Sequence, residues 1–199
     1  LLQEGFDEIR DLDAKIDRAE KNLHQRLAPS QRNAVKLCLS YPISIMTGGP
    51  GSGKTTTLRF ILDIYQAAFP SNEILLAAPT GRACRRMSEQ TGKYAATLHS
   101  ATGLVTEEDS PLNDTEMLSA DLIVVDEFSM VDMRLAYVLM ERIKPGAQLI
   151  IVGDANQLPS VGAGNVLREM IRSEKVATAV VETGCRQGSN SGIFTNAHA

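Results

Sequence analysis

Gly48-Gly49-Pro50-Gly51-Ser52-Gly53-Lys54-Thr55 is the stretch on which the fold turns. It fits the spacing G-x-x-x-x-G-K-[ST], and each part has a physical task. Glycines let successive backbone N–H groups turn inward around a phosphate without a Cβ in the way. The start of a following helix adds the positive end of its dipole. Lys54 offers a mobile cation to the β- and γ-phosphates, and Thr55 a hydroxyl for Mg²⁺. The context agrees. An apolar run at 43–47 reads as a strand entering the loop. Residues 54–69 read as an amphipathic helix leaving it, with Leu58, Ile61, Leu62 and Tyr65 on one face.

Working outward, short apolar runs alternate with segments of helix length. Strands are expected at 43–47, 74–79, 122–126, 148–152 and 176–182, with helices at 54–69, 81–90, 133–143 and 165–173. Such alternation implies an α/β fold, a parallel sheet crossed by helices. Upstream, Ile9, Leu12, Ile16, Ala19, Leu23 and Leu27 recur at steps of three and four, which predicts one amphipathic helix over 7–27. Ala28-Pro29-Ser30 breaks it, and Pro29 starts a second helix through Leu39. The first helix either packs on the following domain or tethers it to a region upstream. The expected division is therefore a helix and linker over 1–28 and one α/β domain over 29–199. The chain begins without Met, which reads as an excised fragment.

Composition narrows the class. With 43% hydrophobic and 22% charged residues in 199, a packed core is expected and wholesale disorder is excluded. The longest apolar runs are too short to span a bilayer. Cys38, Cys84 and Cys185 are odd in number and scattered, which fits neither a disulfide framework nor a zinc site and points to a reducing, cytoplasmic setting. The net charge of −4 argues against a surface that grips nucleic acid everywhere. Locally the balance differs: residues 104–127 carry −8, whereas residues 79–99, with Arg82, Arg85, Arg86 and Lys93 against Glu89, carry +3. Only the second segment welcomes an anionic polymer. Residues 104–120 read as an acidic surface loop.

The phosphate loop needs an acidic partner at the end of an apolar strand, and Leu122-Ile123-Val124-Val125-Asp126-Glu127 supplies one. Asp126 would then sit at the carboxyl edge of a parallel sheet, where such sheets bind ligands, and hold Mg²⁺. Glu127 is placed to polarise an attacking water. Gln157, in Gly153-Asp154-Ala155-Asn156-Gln157-Leu158-Pro159, either senses the γ-phosphate or belongs to a simple turn. Ala78-Pro79-Thr80-Gly81-Arg82-Ala83 offers hydroxyl and guanidinium groups at a helix start, suited to phosphodiester contacts or to a solvated basic face. His99 in Thr97-Leu98-His99-Ser100 is more often a structural hydrogen-bonder than a catalytic group. Arg186, beyond the last strand, is either an arginine finger or a solvated surface residue.

Taken together, Gly48–Thr57, Ala78–Ala83, Thr97–Ser100, Val125–Met130, Gly153–Val161 and the Arg186-Gln187 pair resemble, in order and spacing, the RecD-like helicases of superfamily 1, which include the alpha subunit of bacterial exodeoxyribonuclease V. The resemblance runs from about Leu27 to the last residue. It implies a RecA-like P-loop ATPase, the first of two motor domains that together move 5′ to 3′ on single-stranded DNA in recombination and repair. It implies ATP and Mg²⁺ as cofactors. Gln31 is implied to read adenine; Gly48, Gly49, Pro50, Gly51, Ser52, Gly53, Lys54, Thr55 and Thr56 to bind ATP; and Thr55 and Asp126 to hold the metal. Lys54, Asp126, Glu127, Gln157 and Arg186 take the catalytic roles. Pro79, Thr80, Arg82, Thr97 and His99 fall in segments that line the DNA path. Where the family commonly has an aromatic residue before the Arg-Gln pair, this chain has Cys185. Implied partners are single-stranded DNA, a second motor domain in cis outside these 199 residues, and other subunits of a helicase–nuclease complex.

Two other readings stay open at this point: a different P-loop enzyme, such as an AAA-type switch or a nucleotide kinase, and a nucleotide-binding module that only docks. Residues 78–83 and 153–161 count against the first.

Overall fold

A computed structural model describes residues 8–104, 116–158 and 162–182. Six parallel strands form one sheet: β1 (Ile43–Thr47), β2 (Ile74–Ala78), β3 (Ala95–Thr97), β4 (Leu122–Val125), β5 (Gln148–Gly153) and β6 (Ala177–Val180). Their order across the sheet is β3-β2-β4-β5-β1-β6. Every pairing is parallel. The helices are α1 (Leu12–Asn22), α2 (Pro29–Ser40), α3 (Lys54–Ala68), α4 (Gly81–Thr91), α5 (Leu98–Thr102), α6 (Met133–Arg142) and α7 (Val166–Arg172), with a single 3₁₀ turn at Phe128–Met130. None of the described helices is long and apolar enough to cross a membrane.

The side-chain alternation of the strands separates two cores. Met46, Leu76, Leu122, Val124, Ile150 and Val152 bury themselves under α1 to α4. Ile45, Ala77, Ile123, Val125, Leu149 and Ile151 point the other way, against α5, α6 and α7. Strands covered on both faces need continuous apolar runs, which is why β4 reads Leu-Ile-Val-Val with every residue buried. Side-chain caps start several helices: the Thr80 hydroxyl accepts from Ala83 N, Asp132 from Leu135 N and Asn165 from Arg168 N.

The expected strands and helices past residue 42 appear with their ends shifted by a residue or two. Two elements were not anticipated, β3 and α5. The predicted helix over 7–27 is shorter. Asp11 (φ 55°) and His24 (φ 50°) lie in the left-handed region on either side of α1 and interrupt the helical path. Leu27 still packs on the core beyond the helix end, and its N–H donates to Glu20 Oε1 at 2.9 Å. Residue 7 and the loop residues 105–115 lie outside the described residues; Leu104 before the loop is buried, and after it Met117 is exposed and Ala120 buried. α1 itself packs on α3 and α2, with Ile16 and Ala19 fully enclosed. Arg32 of α2 anchors it through Asp13, Asp17 and Glu20, and Lys36 through Asp13.

Candidate active site

The carboxyl ends of β1, β2, β3, β4 and β5 share one edge of the sheet, because all the strands are parallel. Each expected site residue described falls on that edge.

At the end of β1 the chain enters the phosphate loop. Gly48 is buried there, and a Cβ on it would stand 2.3 Å from Val181 O and 2.8 Å from Ser52 Oγ. Gly is required because the backbone following β6 passes this close. Gly51 (φ 73°) and Gly53 (φ 92°) need glycine for a different reason, the left-handed backbone that turns the loop into α3. Gly49, Pro50 and Gly51 form the outer rim. Lys54 folds back over the loop: its Nζ donates to Gly48 O and, at 3.0 Å, to Gly49 O. Thr55 and Thr56 stand half-buried in the first turn of α3. Ser52 Oγ is buried, and no protein atom partners it. An orphaned hydroxyl is costly to enclose, and a polar ligand seated in the loop would satisfy it. With the inward glycine backbone and the Lys54 ammonium, the residues present fit a nucleotide's phosphates.

Gln31 touches this loop from α2. Its Oε1 accepts from Ala28 N, closing the start of α2, and its Nε2 donates to Gly53 O at 3.4 Å.

Asp126 follows β4. Its carboxylate is largely buried, accepts from Glu127 N at 2.8 Å and is pushed above the ordinary aspartate range, chiefly by burial. The Glu127 charge adds to that shift, while the hydrogen bond, Lys54 and Arg86 oppose it. A buried carboxylate that feels the Lys54 charge, with the Thr55 hydroxyl one residue beyond Lys54 on α3, is a donor set that would fit Mg²⁺, a hard cation held by one or two protein oxygens together with a nucleotide's phosphates. Glu127 has φ 53°, an unusual conformation for a non-glycine residue that stores about 1–3 kcal/mol. Its Oε1 lies 3.4 Å from Nη2 of Arg86, on α4.

The turn after β5 is tied into the same cleft. Ala155 N donates to the buried Thr47 Oγ1 at 3.2 Å, which fastens β5's exit to the end of β1. Ser129 Oγ donates to Gln157 Oε1 at 3.3 Å, holding an otherwise exposed side chain beside the acidic pair.

The expected DNA-facing residues gather at the far side of the sheet. Pro79 and Thr80 lie between β2 and α4, Arg82 is exposed on α4, and Thr97 and His99 stand at the β3–α5 junction. The Thr80 and Thr97 hydroxyls are engaged as helix caps. Strand order therefore sets the phosphate loop (β1) and the basic segment (β2, β3) on opposite sides of β4, with Asp126 and Glu127 between them. Arg186 and Cys185 lie outside the described residues. Sequence reasoning did not find the Arg86–Glu127 pair, the Gln31–Gly53 contact or the Ser129–Gln157 link. Arg86 was visible only as one of several basic residues on a helix, and nothing in the spacing identifies its partner 41 residues away.

With this geometry in view, the likeness to known proteins is specific. The sequence profile of a family described as an AAA domain matches residues 31–163. The RecBCD enzyme subunit RecD of Mycolicibacterium smegmatis is 37% identical over 191 residues, spanning 84% of this chain and 34% of the relative. The ATP-dependent RecD2 DNA helicase of Deinococcus radiodurans is 33% identical over 178 residues, spanning 89% of this chain and 24% of the relative. The chain thus spans about a quarter to a third of these relatives. Among solved structures, the Pif1 helicase from Candida albicans superposes with a TM-score of 0.56 at 26% identity, over 78% of this chain and 40% of that one. Pif1 in a study of unwinding at forked double-stranded DNA superposes with a TM-score of 0.57 over 83% of this chain and 46% of its own; at 23% identity it speaks for the fold alone, a P-loop sheet of RecA type.

Proposed function

We propose, for a chain that belongs to the AAA domain family and is a RecD-like member of it, that it is the ATP-binding and hydrolysing motor domain of a DNA helicase moving 5′ to 3′ in recombination and repair. The observation that carries this reading is the placement of Lys54, Asp126 and Glu127 on one sheet edge, next to the basic segment that opens α4.

The loop 48–53 and Lys54 bind the triphosphate. Gln31 lies against the loop where it would meet the adenine. Thr55 and Asp126 would hold Mg²⁺, which would supply neutralisation of phosphate charge. Glu127 accepts a proton from water as the water oxygen bonds to the γ-phosphorus and the bridging oxygen leaves with ADP. Gln157 orients toward the γ-phosphate from its Ser129 anchor, and Arg186 stabilises charge on the transferring group. Pro79, Thr80, Arg82, Thr97 and His99 contact single-stranded DNA. A second motor domain in cis completes the site, and RecD relatives that are RecBCD subunits support further protein partners.

The test is ATP turnover of the full-length protein with and without single-stranded oligonucleotide at low salt. Turnover stimulated by DNA and abolished by Glu127→Gln is expected. Turnover indifferent to DNA overturns the motor reading, and full activity in Glu127→Gln overturns the assignment of the base. The 199 residues taken alone are expected to bind nucleotide and hydrolyse it very slowly.

A further inference from the structure

We propose that Arg86 is a positioning residue that holds the Glu127 carboxylate until a DNA phosphate draws the guanidinium away, so that DNA contact releases the catalytic base. The inference rests on the function proposed above and assigns it a coupling element.

Three observations carry it. First, Arg86 Nη2 lies 3.4 Å from Glu127 Oε1, a bridge from α4 to the second residue after β4. The pair takes up one of the two Glu127 oxygens and fixes the direction of the carboxylate. Second, the Arg86 side chain is 59% exposed and Glu127 25%, so the guanidinium is within reach of a ligand while the carboxylate faces the cleft. An exposed ion pair of this length is weak and exchanges readily. A phosphate offers the guanidinium two parallel hydrogen bonds, a stronger partner. Third, Arg82 and Arg86 are four residues apart on α4 and share a face, about 6 Å apart along its axis. The helix starts at the Thr80 cap with no acidic residue in its first turn. A strand whose phosphate meets Arg82 brings a neighbouring phosphate toward Arg86.

The pair also lies where a coupling element has to be. Strand order puts the phosphate loop on one side of β4 and the basic segment on the other. Arg86 reaches from the basic segment to Glu127, just past the end of β4, with one side chain.

The experiment is steady-state ATP hydrolysis by the full-length protein, alone and with saturating oligothymidylate, for the parent, Arg86→Ala, Arg86→Lys and Glu127→Gln. Arg86→Ala should raise DNA-free turnover, up to about fivefold for a pair so exposed. The ratio of DNA-saturated to DNA-free turnover should fall by a similar factor. Arg86→Lys, which keeps a cation without the fork, should lie between. Parental DNA-free turnover in Arg86→Ala, with only more oligothymidylate needed for half-stimulation, would make Arg86 a plain phosphate contact and overturn the proposal. So would lower DNA-free turnover, which would mean that Arg86 activates Glu127. The underlying function fails separately: the parent would then show no stimulation, or Glu127→Gln would keep its activity. Thermal melting of Arg86→Ala at the parental temperature excludes a folding defect.

Discussion

Replacing Gly48 by alanine isolates one steric contact. The new Cβ would meet Val181 O at 2.3 Å, whereas ordinary contact begins near 3.4 Å, so about 1 Å must be found. The obstacle is backbone, and it cannot swing aside. Val181 N donates to Thr47 O at 2.8 Å, which pins the chain after β6 to the end of β1 one residue from the clash. Overpacking of this kind costs typically 1–3 kcal/mol, and a rigid backbone acceptor puts Gly48→Ala in the upper part, about 2–3 kcal/mol. For a chain of this size that lowers Tm by about 4–12 °C. Gly49 is the internal control: nothing stands within 4 Å of its added Cβ, so Gly49→Ala should melt with the parent or slightly above. Gly53→Ala should fall between the two. Its φ of 92° costs a side chain about 1–2 kcal/mol, but the atom it meets, Gln31 Nε2 at 2.2 Å, is the end of a flexible side chain. The assay is thermal unfolding by circular dichroism without nucleotide. Parental melting of Gly48→Ala, or equal losses in Gly48→Ala and Gly49→Ala, would refute the close packing of loop against strand.

Lys54→Ala should weaken Mg·ADP binding roughly 10- to 150-fold, since a charged hydrogen bond contributes about 1.5–3 kcal/mol; calorimetry giving equal affinity would remove Lys54 from the site. Hydrogen bonds from Lys36 and Arg32 hold the Asp13 carboxyl below its ordinary value, so its contribution to docking α1 is present above that value and is lost as pH falls through the depressed one. Amide protection of α1 should accordingly drop on acidification below about pH 4, and Asp13→Asn should shrink that dependence, leaving the part carried by Asp17 and Glu20 through Arg32. Burial pushes the Cys38 thiol up to about 12, so in the native protein at pH 8 its alkylation should be about a thousandfold slower than for a free thiol. Native-state labelling of Cys38 read by mass spectrometry at the free-thiol rate would show that α2 opens.

The phosphate loop and the four central strands were legible because their signals are local. Glycine spacing dictates a backbone path, and apolar runs such as Leu122–Val125 can only be strands buried on both sides. β3 escaped notice because a three-residue edge strand, Ala95–Thr97, has too little side chain to make a pattern and owes its existence to pairing with β2. The length of α1 was overestimated because apolar spacing continues through Leu23 and Leu27, although the backbone turns at His24. In the site, Asp126 and Glu127 were found from their position after a strand. The Arg86 partner of Glu127 was not, since it arises only when β2, which carries α4, pairs with β4.

The position of β1 between β5 and β6 has a consequence for how the protein is made. β1 ends at Thr47, yet its two neighbours begin at Gln148 and Ala177. A ribosome adding about 5–20 residues per second takes roughly 5–20 s to cover the hundred residues between β1 and β5. Throughout that interval Ile45 and Met46, each fully enclosed in the finished sheet, have no strand beside them. The partnership of β2 and β4, separated by 43 residues, is available sooner. The sheet is therefore seeded away from the nucleotide loop and closes on it late, leaving a nascent apolar strand for a chaperone to shield until β5 emerges.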